Sequence, residues 1–210
     1  MKSKLGDPVL AQMEAIRAEG GEDFAVTIDP MYQWYGPAEA LHLLKRLEEY
    51  PHLKIEDPFP EDMPDMWRRA KETCAVPLAW HARSFASLRR ALQERCADAF
   101  NVGGMGWEHQ LMAYAVEVAG YTCWRGSALE LGFSQLTGIH AAAAARATVL
   151  PSDFQSGVIR EHTLIQWDWP YQDGFLPLPD GPGLGVEVDR DALKHYCQHT
   201  ATFTAGEKKD

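Results

Sequence analysis

The sequence predicts an α/β fold, an incomplete (β/α) TIM-like barrel in which parallel strands alternate with helices. Short apolar runs alternate with amphipathic stretches over residues 1–150, as in repeated strand-helix units. The runs are apolar throughout, which is typical of parallel strands covered on both faces. Charged residues stand next to these runs, and barrel enzymes carry their active sites at the carboxyl ends of the strands. These residues are Lys2, Lys4, Asp29, Glu56, His81, Asp98 and Asp153.

The elements follow one another at regular spacing. Apolar residues at three-to-four spacing predict the helices, and Asp7, Pro37 and Ser84 are suitable residues for starting three of them. Since a closed barrel has eight strands and about 250 residues, this chain is expected to form only part of one. The predicted strands are residues 1–5, 24–29, 53–56, 77–80, 98–102 and 121–124, with 147–150 as a weaker seventh; the helices are 7–20, 37–50, 61–74, 84–96, 106–120 and 132–146.

The periodicity stops after residue 150. Residues 151–200 are rich in Trp, Pro and Gly, and we expect them to wrap over the same domain and to end in a short helix at 189–196. The small and polar residues 201–210 are expected to fray. The partial barrel of residues 1–150 would then carry the site.

Composition excludes several classes of protein. The 20 Lys and Arg against 30 Asp and Glu give a net charge of -10, which disfavours nucleic acid as a partner. The four cysteines form no CxxC pair and are expected to be reduced thiols. No apolar run is long enough for a membrane span, and the start lacks a secretory signal. A cytoplasmic protein without membrane partners is therefore expected.

Six stretches carry a resemblance to a known family. Together they resemble the C-terminal barrel of the enolase superfamily, in its mandelate racemase and muconate lactonizing enzyme branch, over nearly the whole chain. The resemblance implies a barrel that starts here at its second strand, without the family's first strand and N-terminal capping domain, and it allows homo-oligomers. The stretches are KSKLGDP (2–8), AVTIDP (25–30), LKIEDPFP (53–60), VPLAWHA (76–82), ADAFNVGGMGW (97–107) and LPDGPGLGVEVD (178–189).

The resemblance also implies a metal site. In this family a divalent metal, usually Mg²⁺, holds a substrate carboxylate while a base removes the neighbouring proton to give an enediolate. Asp29 and Glu56 match the first two ligands. His81 stands where the family has a third acid, and imidazole prefers softer ions, so Mn²⁺ or another divalent ion is an alternative. His81 could instead be only a hydrogen-bonding group.

Lys2 and Lys4 match the Lys-x-Lys strand of the family. Alternation along a strand points both side chains to one face. Lys4 is the predicted base, and Lys2 would lower its pKa or contact the carboxylate. Two solvated lysines are the alternative.

A second base is not evident. Trp124 and Arg125 stand where racemase-like members carry a histidine, and Asn101 does not supply the lysine of epimerase-like members. Asp98 matches the acid that partners that histidine and could instead pair with Arg125 or a backbone amide. A dehydratase is therefore favoured over a two-base racemase, with His81 or a water protonating the leaving group.

Candidate substrate-binding residues are Asp153, Trp124 and Arg125, with Glu130 as a weaker candidate. The predicted function is a metal-dependent enzyme that removes the proton alpha to the carboxylate of a small hydroxy or sugar acid. The alternative is a catalytically degenerate or truncated barrel with a structural or binding role.

Overall fold

The computed structural model describes residues 1, 7–34, 36–127 and 129–201. Five parallel strands form one sheet in chain order and alternate with helices, which confirms the predicted fold class. The strands are β1 (Val26–Ile28), β2 (Leu53–Glu56), β3 (Leu78–Ala82), β4 (Ala99–Val102) and β5 (Thr122–Trp124); the helices are α1 (Val9–Gly20), α2 (Pro37–Leu47), α3 (Pro64–Thr73), α4 (Phe85–Glu94), α5 (Trp107–Val118), α6 (Gly132–Ala144), α7 (Ser156–Ile159) and α8 (Arg190–Tyr196).

The helices begin where local chemistry favours a start. Ser84 caps α4 by accepting a hydrogen bond from the Ser87 amide, and Asp189 caps α8 in the same way. Pro37 and Pro64 occupy first-turn positions of α2 and α3, where a missing N–H costs nothing. The short α7 has no counterpart among the predicted helices.

The core lies between the sheet and the surrounding helices. Trp34, Trp67 and Trp80 are fully buried there, and the rings of Trp67 and Trp80 lie 4.7 Å apart. Every residue of β4 is buried, as expected of a parallel strand that is covered on both faces. A second cluster joins α6 to the C-terminal segment through Leu136, Ile139, Ile165 and Trp169.

Two predicted strands at the edges of the sheet have a limited description. The weaker seventh is present as a single parallel bridge between Cys123 and Thr148. Of the first, only Met1 is described; its amino group donates to the Thr27 carbonyl and its carbonyl accepts from the Asp29 amide, both at 2.6 Å. These bonds flank Ile28 as in a parallel ladder. Residues 2–6 lie outside the described residues.

None of the described helices combines the length and the apolarity that a membrane span requires. The four cysteines, all within the described ranges, form no disulfide.

His109 on α5 is fully buried, with Nδ1 3.2 Å from the Val102 carbonyl and Nε2 3.3 Å from the Thr148 hydroxyl. Burial lowers the pKa of His109, and the hydrogen bond to Val102 partly opposes that shift. A histidine in the unfolded chain has a pKa of about 6.5. Acid therefore favours the unfolded state, which takes up a proton that the folded state resists.

We expect the free energy of unfolding to fall as the pH drops below about 6.5, because the folded pKa is the lower one. Urea unfolding at neutral and mildly acidic pH should show a smaller acid-induced loss in His109→Gln than in the wild type. His42→Gln, at an exposed histidine, is the matched control and should keep the wild-type loss. Equal losses in all three proteins would contradict this assignment.

Candidate functional site

Four polar side chains follow or end neighbouring strands at one edge of the sheet. Asp29 comes directly after β1, Glu56 ends β2, His81 lies near the end of β3 and Asn101 near the end of β4. Ile28 pairs with Ile55, and His81 pairs with Asn101. Parallel pairing therefore collects these groups at the carboxyl edge, where barrel enzymes have their sites.

Glu56 is the centre of the group. The residue is 7% exposed, and its Oε1 accepts a 2.7 Å hydrogen bond from Nδ2 of Asn101. Nδ1 of His81 lies 3.7 Å from the same oxygen, which is too long for a hydrogen bond. Ligand atoms of Glu56, Asp57 and His81 lie within 4.8 Å of one another. The described residues thus include one compact set of metal-binding groups.

Asp29 is 8% exposed. Its Oδ1 accepts a 2.8 Å hydrogen bond from the Met31 amide, which orients the carboxylate at the start of the loop. Because Ile28 pairs with Ile55, Asp29 and Glu56 are the next residues along two neighbouring strands. The structure therefore brings together the strand ends that carry the predicted ligands Asp29, Glu56 and His81.

Asp57 was not predicted as a site residue. It is 1% exposed and has a positive φ of 45°, an uncommon conformation for a residue with a side chain. Its Oδ1 accepts a 2.9 Å hydrogen bond from the His81 amide, and its Oδ2 lies 3.4 Å from Arg83. Asp57 thus ties the end of β2 to the end of β3. The only sequence signal for it was the second acid of the Glu-Asp-Pro run.

Arg83 is a second residue that sequence reasoning missed. Besides Asp57, its guanidinium lies 3.8 Å from Glu61 and 5.0 Å from the ring centroid of Tyr32. Burial lowers the pKa of Arg83, and the negative charge of Asp29 opposes that shift. Arg83 therefore places positive charge beside the carboxylates of the site.

Arg125 holds the loop that follows β5. It is 7% exposed, and its Nη2 donates to Glu130 at 3.2 Å. Ser127 donates to the same carboxylate at 2.8 Å and accepts from Gln135 of α6 at 3.1 Å. A Cβ at Gly138 of α6 would lie 3.7 Å from Nε of Arg125. The guanidinium thus packs toward α6. Its contact with substrate stays a prediction.

Trp124 and Asp153, the other two predicted substrate-binding residues, have different surroundings. Trp124 is 5% exposed and packs on Ala79, Ala99 and Leu150. Asp153 is exposed, and its Oδ1 accepts a 2.8 Å hydrogen bond from the Ser127 amide. Trp124 therefore fills space next to the strands, whereas Asp153 fixes the loop after β5.

The expectation that Asp98 stands at the carboxyl edge is wrong. Asp98 precedes β4, its amide donates to the Leu78 carbonyl, and its Oδ2 accepts from the Leu78 amide at 3.0 Å. Leu78 begins β3, so this is the opposite edge of the sheet. The other carboxylate oxygen pairs with Lys71 at 2.8 Å, not with Arg125. Lys2 and Lys4 lie outside the described residues.

The chain is similar to known proteins in sequence and in fold. A family described as enolase C-terminal domain-like matches residues 1–192. The N-succinyl-L-Arg/Lys racemase of Bacillus cereus is 27% identical over 203 residues, which cover 92% of this chain and 54% of the racemase. A chloromuconate cycloisomerase of Pseudomonas putida is 27% identical over 196 residues, which cover 90% of this chain and 52% of the cycloisomerase.

The chain therefore spans about half the length of these curated relatives. The crystal structure of the N-succinyl Arg/Lys racemase from Bacillus cereus superposes with a TM-score of 0.82 at 25% identity, and the match covers 92% of this chain and 54% of that one.

Gly126 supplies a test of the packing at this edge. A Cβ there would lie 2.4 Å from Nδ2 of Asn101, so we expect Gly126→Ala to lower the free energy of unfolding by about 1–3 kcal/mol through overpacking. Gly138→Ala is the matched control, because its Cβ would approach no atom closer than 3.3 Å and alanine favours a helix. Urea unfolding measures both, and an equal effect of the two substitutions would contradict the close contact.

Proposed function

The chain belongs to the enolase C-terminal domain-like family, and from this premise we propose that it forms the barrel part of a metal-dependent enzyme. The proposed reaction removes the proton next to the carboxylate of a small hydroxy or sugar acid. The observation that carries the proposal is the meeting of Glu56 and His81 at the ends of β2 and β3, with 3.7 Å between Oε1 and Nδ1.

The residues present suit a divalent cation. Two ligand atoms that share a cation at about 2.1 Å each are about 3–3.5 Å apart, close to the distance between Glu56 and His81. By the family resemblance Asp29, Glu56 and His81 would hold the ion, while the geometry groups Asp57 with Glu56 and His81. Two carboxylates suit Mg²⁺ or Mn²⁺, while the imidazole moves the preference toward Mn²⁺. When bound, the cation would stabilise negative charge on the substrate carboxylate.

Lys4 is the proposed base, as the family's Lys-x-Lys strand implies. Asn101 is hydrogen-bonded to Glu56, and Trp124 is buried against apolar side chains. At these two positions the described residues offer no second group for proton transfer. This supports elimination of water over two-base racemisation, with the leaving hydroxyl protonated by His81 or by a bound water.

Substrate would enter at the carboxyl edge, next to the loop that follows β5. Asp153 holds this loop through the Ser127 amide, and Arg125 holds it through Glu130. The relatives are about twice as long as this chain. We propose that a capping domain at this edge completes the site and contributes to the choice of substrate.

The metal preference can be tested by calorimetric titration. Wild-type protein should bind Mn²⁺ more tightly than Mg²⁺, and Glu56→Gln should abolish both. His81→Asp should shift the preference toward Mg²⁺, since it replaces a nitrogen ligand by a hard oxygen.

Glu94→Gln is the control, because Glu94 pairs with Arg68 on the helices and its substitution should leave both affinities unchanged. Failure of the wild type to bind either ion below millimolar concentration would refute the proposed function.

A further inference from the structure

We propose that Asn101 is a positioning residue that holds the carboxylate of Glu56 for metal binding and ties it to the loop after β5. This rests on the proposed function, because it deepens the assignment of Glu56 as a metal ligand. Asn101 is 5% exposed. Its Nδ2 donates to Oε1 of Glu56 at 2.7 Å, and its Oδ1 accepts from the Gly126 amide at 2.9 Å.

The two hydrogen bonds fix which way the amide points. A backbone N–H can only donate, so the carbonyl oxygen of Asn101 must face Gly126. The amino group then faces the carboxylate of Glu56, which can only accept when ionised. Asparagine meets both demands at once, whereas an aspartate would oppose an oxygen to an oxygen at Glu56.

The hydrogen bond between Asn101 and Glu56 joins two strands that are not neighbours in the sheet. Glu56 lies on β2 and Asn101 on β4, with β3 between them, so their strands are about 10 Å apart at the usual spacing. Gly126 follows β5. Asn101 thus links the ends of three strands, only two of which are neighbours.

The fit at Gly126 is close. A Cβ there would lie 2.4 Å from Nδ2 and 2.7 Å from Oδ1 of Asn101. The main chain at Gly126 is therefore in direct contact with the side-chain amide of Asn101. On either side of Gly126 in the chain, Arg125 and Ser127 both donate hydrogen bonds to Glu130. The same side chain therefore orients Glu56 and fixes the start of this loop.

Hydrogen bonds to a metal-binding side chain set its orientation. Loss of such a bond typically weakens metal affinity by about 10- to 100-fold. Asn101 should therefore affect the metal affinity although it is not one of the proposed ligands.

The test measures Mn²⁺ affinity by titration calorimetry in the protein at its full natural length. Asn101→Ala and Asn101→Leu, the second of which keeps the branched shape of the side chain, should each bind Mn²⁺ about 10- to 100-fold more weakly than the wild type. Thr163→Val is the control; it removes the buried hydrogen bond from Trp169 and should lower the melting temperature without changing Mn²⁺ affinity.

A double-mutant comparison separates positioning from general stability. In a Glu56→Asp background the loss caused by Asn101→Ala should shrink, because the shorter carboxylate is no longer held by the amide; an equal loss in both backgrounds would overturn the inference. Hydrogen exchange at the Gly126 amide, measured without metal, should be faster in Asn101→Ala, and unchanged exchange would overturn the link to the loop.

Unchanged Mn²⁺ affinity in both Asn101 variants would overturn the positioning role while the proposed function stands. Absence of Mn²⁺ binding in the wild type would remove both.

Discussion

The parallel register of β2, β3 and β4 is the constraint on which the site depends. Glu56 pairs with Ala79, and His81 pairs with Asn101, so groups from distant parts of the chain end at one edge. A slip of one residue would turn each side chain to the opposite face. The buried hydrogen bond from Asn101 to Glu56 can form only in the observed register.

The strand ends were largely predictable from the sequence. Parallel strands covered on both faces tend to be short apolar runs, and the residues at the end of such a run lie at the carboxyl edge of the sheet. This rule located Asp29, Glu56 and His81. Applied strictly, the same rule would have excluded Asp98 from the carboxyl edge, because Asp98 precedes the apolar run of β4.

Other parts of the site depend on packing that no sequence period encodes. Asn101 was considered only as a missing lysine, although its contacts come from β2 and from the loop after β5. Asp57 and Arg83 contribute to the site because the loop after β2 meets the loop after β3. No local sequence pattern predicts the positive φ of Asp57. The charge of Arg83 offsets part of the negative charge that Asp29, Asp57 and Glu61 bring together. This balance is a property of the folded state alone.

The indole of Trp124 occupies space left by Ala79 and Ala99 on the two preceding strands. Close-packed interiors conserve volume, so these three positions act as one steric unit. A homologue with a small residue in place of Trp124 would need a larger side chain at one of the two alanine positions, or would have a cavity there. The space available between these strands is thus set partly by the methyl groups of Ala79 and Ala99.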